Sequence, residues 1–125
     1  MTSPGSVPWA SASGRTAERV RRGEIYWARL PAPVGRRPVL LVTRTAAIAV
    51  RTAVTVAPIT RTIRGIPSEL PLDRQHGLRG RSVAGCDSLQ AIPKDVLGPH
   101  PVGALSPDEL AALDRALRFA LGIRA

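Results

Sequence analysis

An ordered pattern begins at Gly23, and Gly23-Glu24-Ile25-Tyr26-Trp27-Ala28-Arg29-Leu30 is rich in β-branched and aromatic residues, which predicts a strand. Pro31-Ala32-Pro33-Val34-Gly35 then demands a loop. Pro38–Thr43 is a short, continuous apolar run and fits a strand buried on both faces. Ala53–Thr60 predicts a third strand, with Pro58 placing its end at an edge or bulge. Glu69–Leu72 is a weaker fourth, and 74–80 is polar and loop-like. Ser82–Cys86 predicts a fifth strand, and Val102–Leu105 ends a sixth. The period then changes. Ser106 is a good N-cap, Pro107 suits the first helical position and Glu109 completes a capping box. Leu110, Leu113, Leu117 and Leu121 form one helical stripe, Asp114 and Arg118 pair at i,i+4 on the other side, and Gly122 ends the helix. Short strands followed by one capped helix predict a mainly β protein, a small barrel or sandwich with a C-terminal α-helix.

Residues 1–20 differ from this pattern. They are rich in Ser, Pro, Gly and Ala without a period, so a disordered tail is expected there and an ordered domain over 21–125. They hold no apolar stretch of the roughly 7–15 residues a secretory signal requires. The chain has 125 residues, 44% of them hydrophobic, enough for one domain with a core. No apolar run reaches the ~18 residues of a membrane-spanning helix, so no membrane association is expected. The single cysteine, Cys86, permits no internal disulfide and fits a reducing, cytoplasmic compartment.

Charge narrows the partner. The formal net charge is +9, and Lys94 is the one lysine among 18 basic residues. Residues 23–105 carry ten arginines and Lys94 against five acids, so the excess lies on the domain itself. Arginine suits bidentate phosphate contacts, and a polyanion, most often nucleic acid, is the plain inference. An Arg- and Ala-rich composition with solvated arginines is the plainer alternative.

Standard hydrolytic motifs are missing from the sequence: it contains no GxSxG, HExxH, Walker or dinucleotide fingerprint. His76 and His100 lie in loop-like sequence and are expected at the surface, and Cys86 is expected in the core. Neither a Cys/His zinc set nor a carboxylate cluster for magnesium is evident, so neither a metal nor another cofactor is expected. Polar residues do gather at strand ends: Arg36 and Arg37, Thr60 and Arg61 with Arg64 nearby, and Asp87 with Ser88. Each also has an ordinary explanation. Arg37 can blunt an edge, Thr60 can be a β-former, and Asp87 can cap a turn.

Taken in order, these segments resemble the MazF/PemK (Kid) toxins of bacterial toxin–antitoxin pairs. The resemblance rests on Arg22–Trp27, Arg37–Val42, Val56–Thr60, Ser82–Ser88, Gln90–Lys94 and the closing Leu97-Gly98 through Gly103 with its capped helix, and it spans about 21–123. It implies an SH3-like, CcdB-like β-barrel working as a homodimer. It also implies a metal-independent, sequence-specific endoribonuclease that cuts single-stranded RNA (messenger, ribosomal or transfer), arrests growth, and is neutralised by a cognate antitoxin with an acidic, flexible segment. By the same resemblance the family's arginine falls on Arg37, its active-site threonine on Thr60, its proposed base on Asp87 and an RNA-contacting polar residue on Ser88. Arg36, Arg61, Arg64, Arg79 and Arg81 are the further RNA-binding candidates. Two departures stand out. The 31–36 loop is short, and Gly85 occupies a position where some relatives carry an arginine.

RNA supplies its own nucleophile, the 2′-OH. Asp87 would accept its proton, Arg37 would neutralise the charge growing on phosphorus, and Thr60 would position by hydrogen bonding. A guanidinium is a poor acid, with a pKa above ~12, so electrostatic stabilisation is the safer role for Arg37. The products would be a 2′,3′-cyclic phosphate or 3′-phosphate and a 5′-OH. A non-catalytic nucleic-acid-binding barrel and a CcdB-like gyrase inhibitor are the alternatives.

Overall fold

The computed structural model describes residues 20–124. The expected tail lies outside the described residues except for Val20, which is 3% exposed and packs into a core.

β1 (Glu24–Arg29) pairs with β2 (Arg36–Leu41), setting Ile25 opposite Leu40 and Arg29 opposite Arg36. β2 pairs with β3 (Ala53–Thr60), with Val39 opposite Pro58 and Leu41 opposite Val56. The far side of β3 is shared by two partners. β6 (Gln90–Pro93) pairs with Ala53 through Val56, and β5 (Ser82–Gly85) pairs with Ile59 and Thr60. β4 (Glu69–Leu72) extends β5, and β7 (Gly103–Ala104) lies along β1. All pairs are antiparallel, so the chain is a curved, seven-stranded, barrel-like sheet closed by a C-terminal helix.

Pro58 corrects an expectation, because it sits in the central strand rather than on an edge or bulge. It is tolerated because the handover from β6 to β5 falls at Ala57 and Pro58, where that side of β3 makes no ladder pair. β6 is a strand the hydrophobic pattern does not predict. Gln90-Ala91-Ile92-Pro93 lacks the β-branched density of its neighbours, and pairing with Ala53–Val56 holds it in place.

The sheet is apolar on both faces. Leu40, Ala57 and Ile59 face one core with Leu113 and Ala116 of the helix, while Val39, Leu41, Val54 and Val56 face another with Tyr26 and Ile92. This is why Val39–Leu41 read as a continuous apolar run: neither face of that half of β2 meets water. The short α1 (Thr45–Ile48) buries Ala47 and Ile48, and Ile48 joins the second core.

The helix α2 (Pro107–Leu121) begins as its sequence predicts. Ser106 Oγ accepts from Glu109 N at 3.2 Å, and Glu109 Oε1 accepts from Ser106 N at 2.9 Å. Gly122 terminates it at φ 69°. Its apolar stripe is shorter than predicted. Leu113 is fully buried, but Leu121 is 58% exposed, beside Phe119 at 59%. Asp114 does not pair with Arg118. It bonds Arg22 Nη2 at 2.7 Å, while Arg22 Nε donates to the Val42 carbonyl, so this ion pair ties α2 to the start of the sheet.

His76 also departs from expectation, being 5% exposed rather than at the surface. Its Nδ1 accepts from Asp73 N, and its Nε2 donates to Glu109 Oε2 at 2.7 Å. Gly77 and Gly103 make this possible, because a Cβ on Gly77 would strike the Val102 carbonyl and one on Gly103 the His76 carbonyl. Hydrogen bonds from the Ser106 main chain and from His76 hold the Glu109 carboxyl below its ordinary value, against an opposing desolvation. Cys86 is buried as expected, and burial, reinforced by the Asp87 charge, pushes its thiol up to about 11, which makes it an unreactive core residue. Among the described residues no helix is long and apolar enough to cross a membrane.

Candidate active site

Three segments converge where β3 ends. Thr60 is the last residue of β3, a 3-10 turn over Cys86–Ser88 follows β5, and the loop 61–68 leads into β4. Registers fix what faces what. Thr60 pairs with Val83 and Gly85 pairs with Glu69, so Thr60, Gly85 and Glu69 present their side-chain positions on one face of the sheet. With Arg64, Ser68, Asp87 and Ser88 they line a pocket of about 300 Å³.

Each polar group is held by a local bond. Thr60 Oγ1 accepts from Thr62 N at 3.1 Å, which leaves its hydroxyl proton available to a ligand. Asp87 Oδ2 accepts a hydrogen bond from the Ser68 hydroxyl. The Glu69 carboxylate accepts from Arg64 N at 3.1 Å and from Gly65 N at 2.9 Å, folding the loop back so that Arg64 stands in the pocket wall. Gly65 makes that reversal at φ 72°. Gly85 adds no side chain to the wall; a Cβ there would lie 3.8 Å from the Pro58 carbonyl oxygen, an ordinary contact.

Of the sequence candidates, Thr60, Asp87, Ser88 and Arg64 share this pocket. Arg37 stands outside its wall, on the neighbouring strand. The β2–β3 pairing ends at Val39 opposite Pro58; two residues beyond that pair, and on the same face as it, come Arg37 on β2 and Thr60 on β3. Arg37 is exposed, and among the described residues its guanidinium makes no hydrogen bond or ion pair. Arg36 projects to the opposite face and stacks on Trp27, 4.7 Å from the ring centroid. The two-residue period of a strand was the signal that separates these adjacent arginines.

Arg61, Arg79 and Arg81 are exposed and form a second group. Arg61 Nη2 lies 3.8 Å from where a Gly80 Cβ would stand, over the loop that carries Arg79 and Arg81. Arg74 joins them by donating from Nε to the Arg79 carbonyl at 3.1 Å. Arg81 lines a second pocket, of about 590 Å³, which shares Ile66 and Glu69 with the first. Ser68 and Glu69 were missed in the sequence, since a Pro-Ser-Glu before a strand has no distinguishing local pattern. Among the described residues no group of three or more His, Cys, Asp or Glu could hold a metal ion.

Comparison with known proteins adds the family. The model for PemK-like, MazF-like toxins of type II toxin–antitoxin systems matches residues 21–121. Endoribonuclease MazF3 of Mycobacterium tuberculosis is 45% identical over 86 residues, covering 69% of this chain and 79% of that protein. Probable endoribonuclease MazF5 of the same species is 37% identical over 101 residues, covering 80% and 91%. Among solved structures, the M. tuberculosis toxin MazF-mt6 superposes with a TM-score of 0.75 at 39% identity, covering 82% of this chain and 99% of that one. A mycobacterial endoribonuclease in complex with its cognate antitoxin gives a TM-score of 0.73 at 27% identity, covering 85% and 98%.

Proposed function

The chain belongs to the PemK-like, MazF-like toxins of type II toxin–antitoxin systems, and on that footing we propose that it is a metal-independent endoribonuclease that cuts single-stranded RNA. The observation that carries this proposal is the pocket at the end of β3, where Thr60, Arg64 and Asp87 from separate segments share one wall. A barrel that only binds nucleic acid, or one directed at gyrase, would not need Thr60, Asp87 and Ser88 together.

The substrate provides the nucleophile. Asp87 accepts the 2′ proton. Arg37, reaching from β2 with its guanidinium unpaired among the described residues, spreads its fork over the non-bridging phosphate oxygens as negative charge accumulates. Thr60 donates its hydroxyl proton to the same phosphate, and Ser88 fixes the adjoining nucleotide. Arg64 supplies further positive charge in the wall, and the Arg61, Arg79, Arg81 group tracks the flanking phosphates. Arg36 contributes to RNA binding as the charged edge of the Trp27 stack. Cleavage gives a 2′,3′-cyclic phosphate, or the 3′-phosphate from its hydrolysis, and a 5′-OH.

Two partners complete the proposal. The exposed Phe119, Leu121 and Ile123 at the end of α2 give a homodimer an apolar contact. A cognate antitoxin with an acidic, flexible segment competes with RNA for the arginine-lined surface, ordering as it binds. Incubation of the purified chain with a long RNA in excess chelator, with the 5′ ends mapped, tests the function. Discrete cuts with 5′-OH termini are expected, and intact RNA in chelator with cleavage restored by added magnesium would contradict a metal-independent reaction.

A further inference from the structure

Ser68 is 1% exposed, yet it lines the pocket that contains Asp87. It grips the turn after β5 at two points. Its carbonyl accepts the Cys86 N–H at 3.0 Å, and its hydroxyl donates to Asp87 Oδ2. A buried hydroxyl is tolerated only with a partner, and the Asp87 carboxylate is that partner. The bond also sorts the two oxygens of an otherwise exposed side chain. Oδ2 is engaged, and among the described residues Oδ1 accepts no hydrogen bond. An exposed aspartate on a three-residue 3-10 turn would sample several rotamers, whereas a general base must hold its accepting oxygen about 2.6–3.2 Å from the oxygen whose proton it takes.

We propose that Ser68 is a positioning residue for the reaction: by holding Asp87 Oδ2 it presents Oδ1 to the 2′-hydroxyl of the bound nucleotide. This rests on Asp87 being the base. The proton passes from the ribose 2′-oxygen to Asp87 Oδ1 as the 2′-oxygen forms its bond to phosphorus; the bond to the 5′-oxygen breaks with its electron pair on that oxygen, which takes a proton from solvent water. Ser68 keeps its own proton throughout.

Steady-state cleavage of a single-site RNA by the full chain tests this with Ser68→Ala, Ser68→Cys, Ser68→Thr, Asp87→Asn and the Ser68→Ala/Asp87→Asn double variant. Loss of kcat by on the order of 10–100-fold is expected for Ser68→Ala, the range that misplacing a reacting group costs. KM and the cut site stay unchanged. Ser68→Cys, with a weak donor of similar shape, loses activity in the same way and carries the test if the alanine variant does not fold. Ser68→Thr, which keeps the hydroxyl, retains activity. In the Asp87→Asn background Ser68→Ala has no further effect, because the two residues act as one unit. Multiplying losses in the double variant, a purely KM effect, or wild-type kcat in Ser68→Ala beside an inactive Asp87→Asn would each overturn the positioning role alone. Wild-type cleavage by Asp87→Asn would overturn the base assignment and this role with it.

Discussion

Exchange of Asp87 for asparagine lowers kcat for RNA cleavage by about 10²–10⁴-fold, the contribution a placed general base makes. Asparagine matches aspartate in shape, and its carbonyl can still accept from Ser68, so the turn over Cys86–Ser88 is preserved. Asp87 is exposed, but its carboxylate partners the buried Ser68 hydroxyl, so exchanging that charge-assisted bond for a neutral one costs on the order of 1 kcal/mol of stability. What disappears is the proton acceptor. RNA affinity holds or rises, because a negative charge leaves a surface that meets phosphate. Single-turnover cleavage, RNA binding and thermal melting of the same preparation separate these effects. A rate within twofold of the parent protein removes Asp87 from the chemistry.

The second large effect is at Arg37. Its replacement by alanine reduces kcat by about 10²–10³-fold, as removal of a group stabilising transition-state charge does elsewhere. The fold provides an unusually clean test. Arg37 is exposed and, among the described residues, its guanidinium bonds nothing, so its loss leaves the core, the sheet register and the melting temperature as they were. Lysine at this position keeps the charge but not the planar fork, and recovers only part of the rate. Arg36→Ala is the matched comparison: that side chain lies on the other face against Trp27, so its loss is expected to raise KM through weaker RNA binding and to leave kcat unchanged. A rise in KM with kcat untouched would reduce Arg37 to a phosphate-binding residue that makes no contribution specific to the transition state.

Local signals were the legible part of the fold. Ser106, Pro107, Glu109 and Gly122 announce α2 within the sequence itself, and the structure forms that capping box and that left-handed end. β3 was legible to both its limits, because Ala53–Thr60 alternates into two cores. Where a residue's environment is made by distant chain, the sequence was silent. His76 looks like a polar loop residue, and what buries it is Glu109 on α2 and the close approach of Gly77 to Val102. Asp114 has Arg118 one turn away but takes Arg22, at a separation of 92 residues. β6 exists because Ala53–Val56 offers it an edge.

The candidate site divides along the same line. Thr60, Asp87 and Ser88 could be named from ordered motifs, and they do share a pocket. Arg37 could be named too, but its relation to Thr60 follows only from the β2–β3 register. Ser68 and Glu69 could not. Their roles come from a turn 19 residues away in one case and from a loop folding back on itself in the other. Neither leaves a trace in spacing or composition.

The central claim is that RNA is severed by its own ribose hydroxyl under the direction of Asp87, Arg37 and Thr60. The most direct measurement uses an RNA of defined cut site in which the one nucleotide 5′ to the scissile phosphate is 2′-deoxy. The account predicts that this oligonucleotide binds as the all-ribose RNA does and remains whole, while the all-ribose RNA yields a 2′,3′-cyclic or 3′-phosphate and a 5′-OH. Cleavage of the 2′-deoxy substrate at the same position and a comparable rate would contradict it.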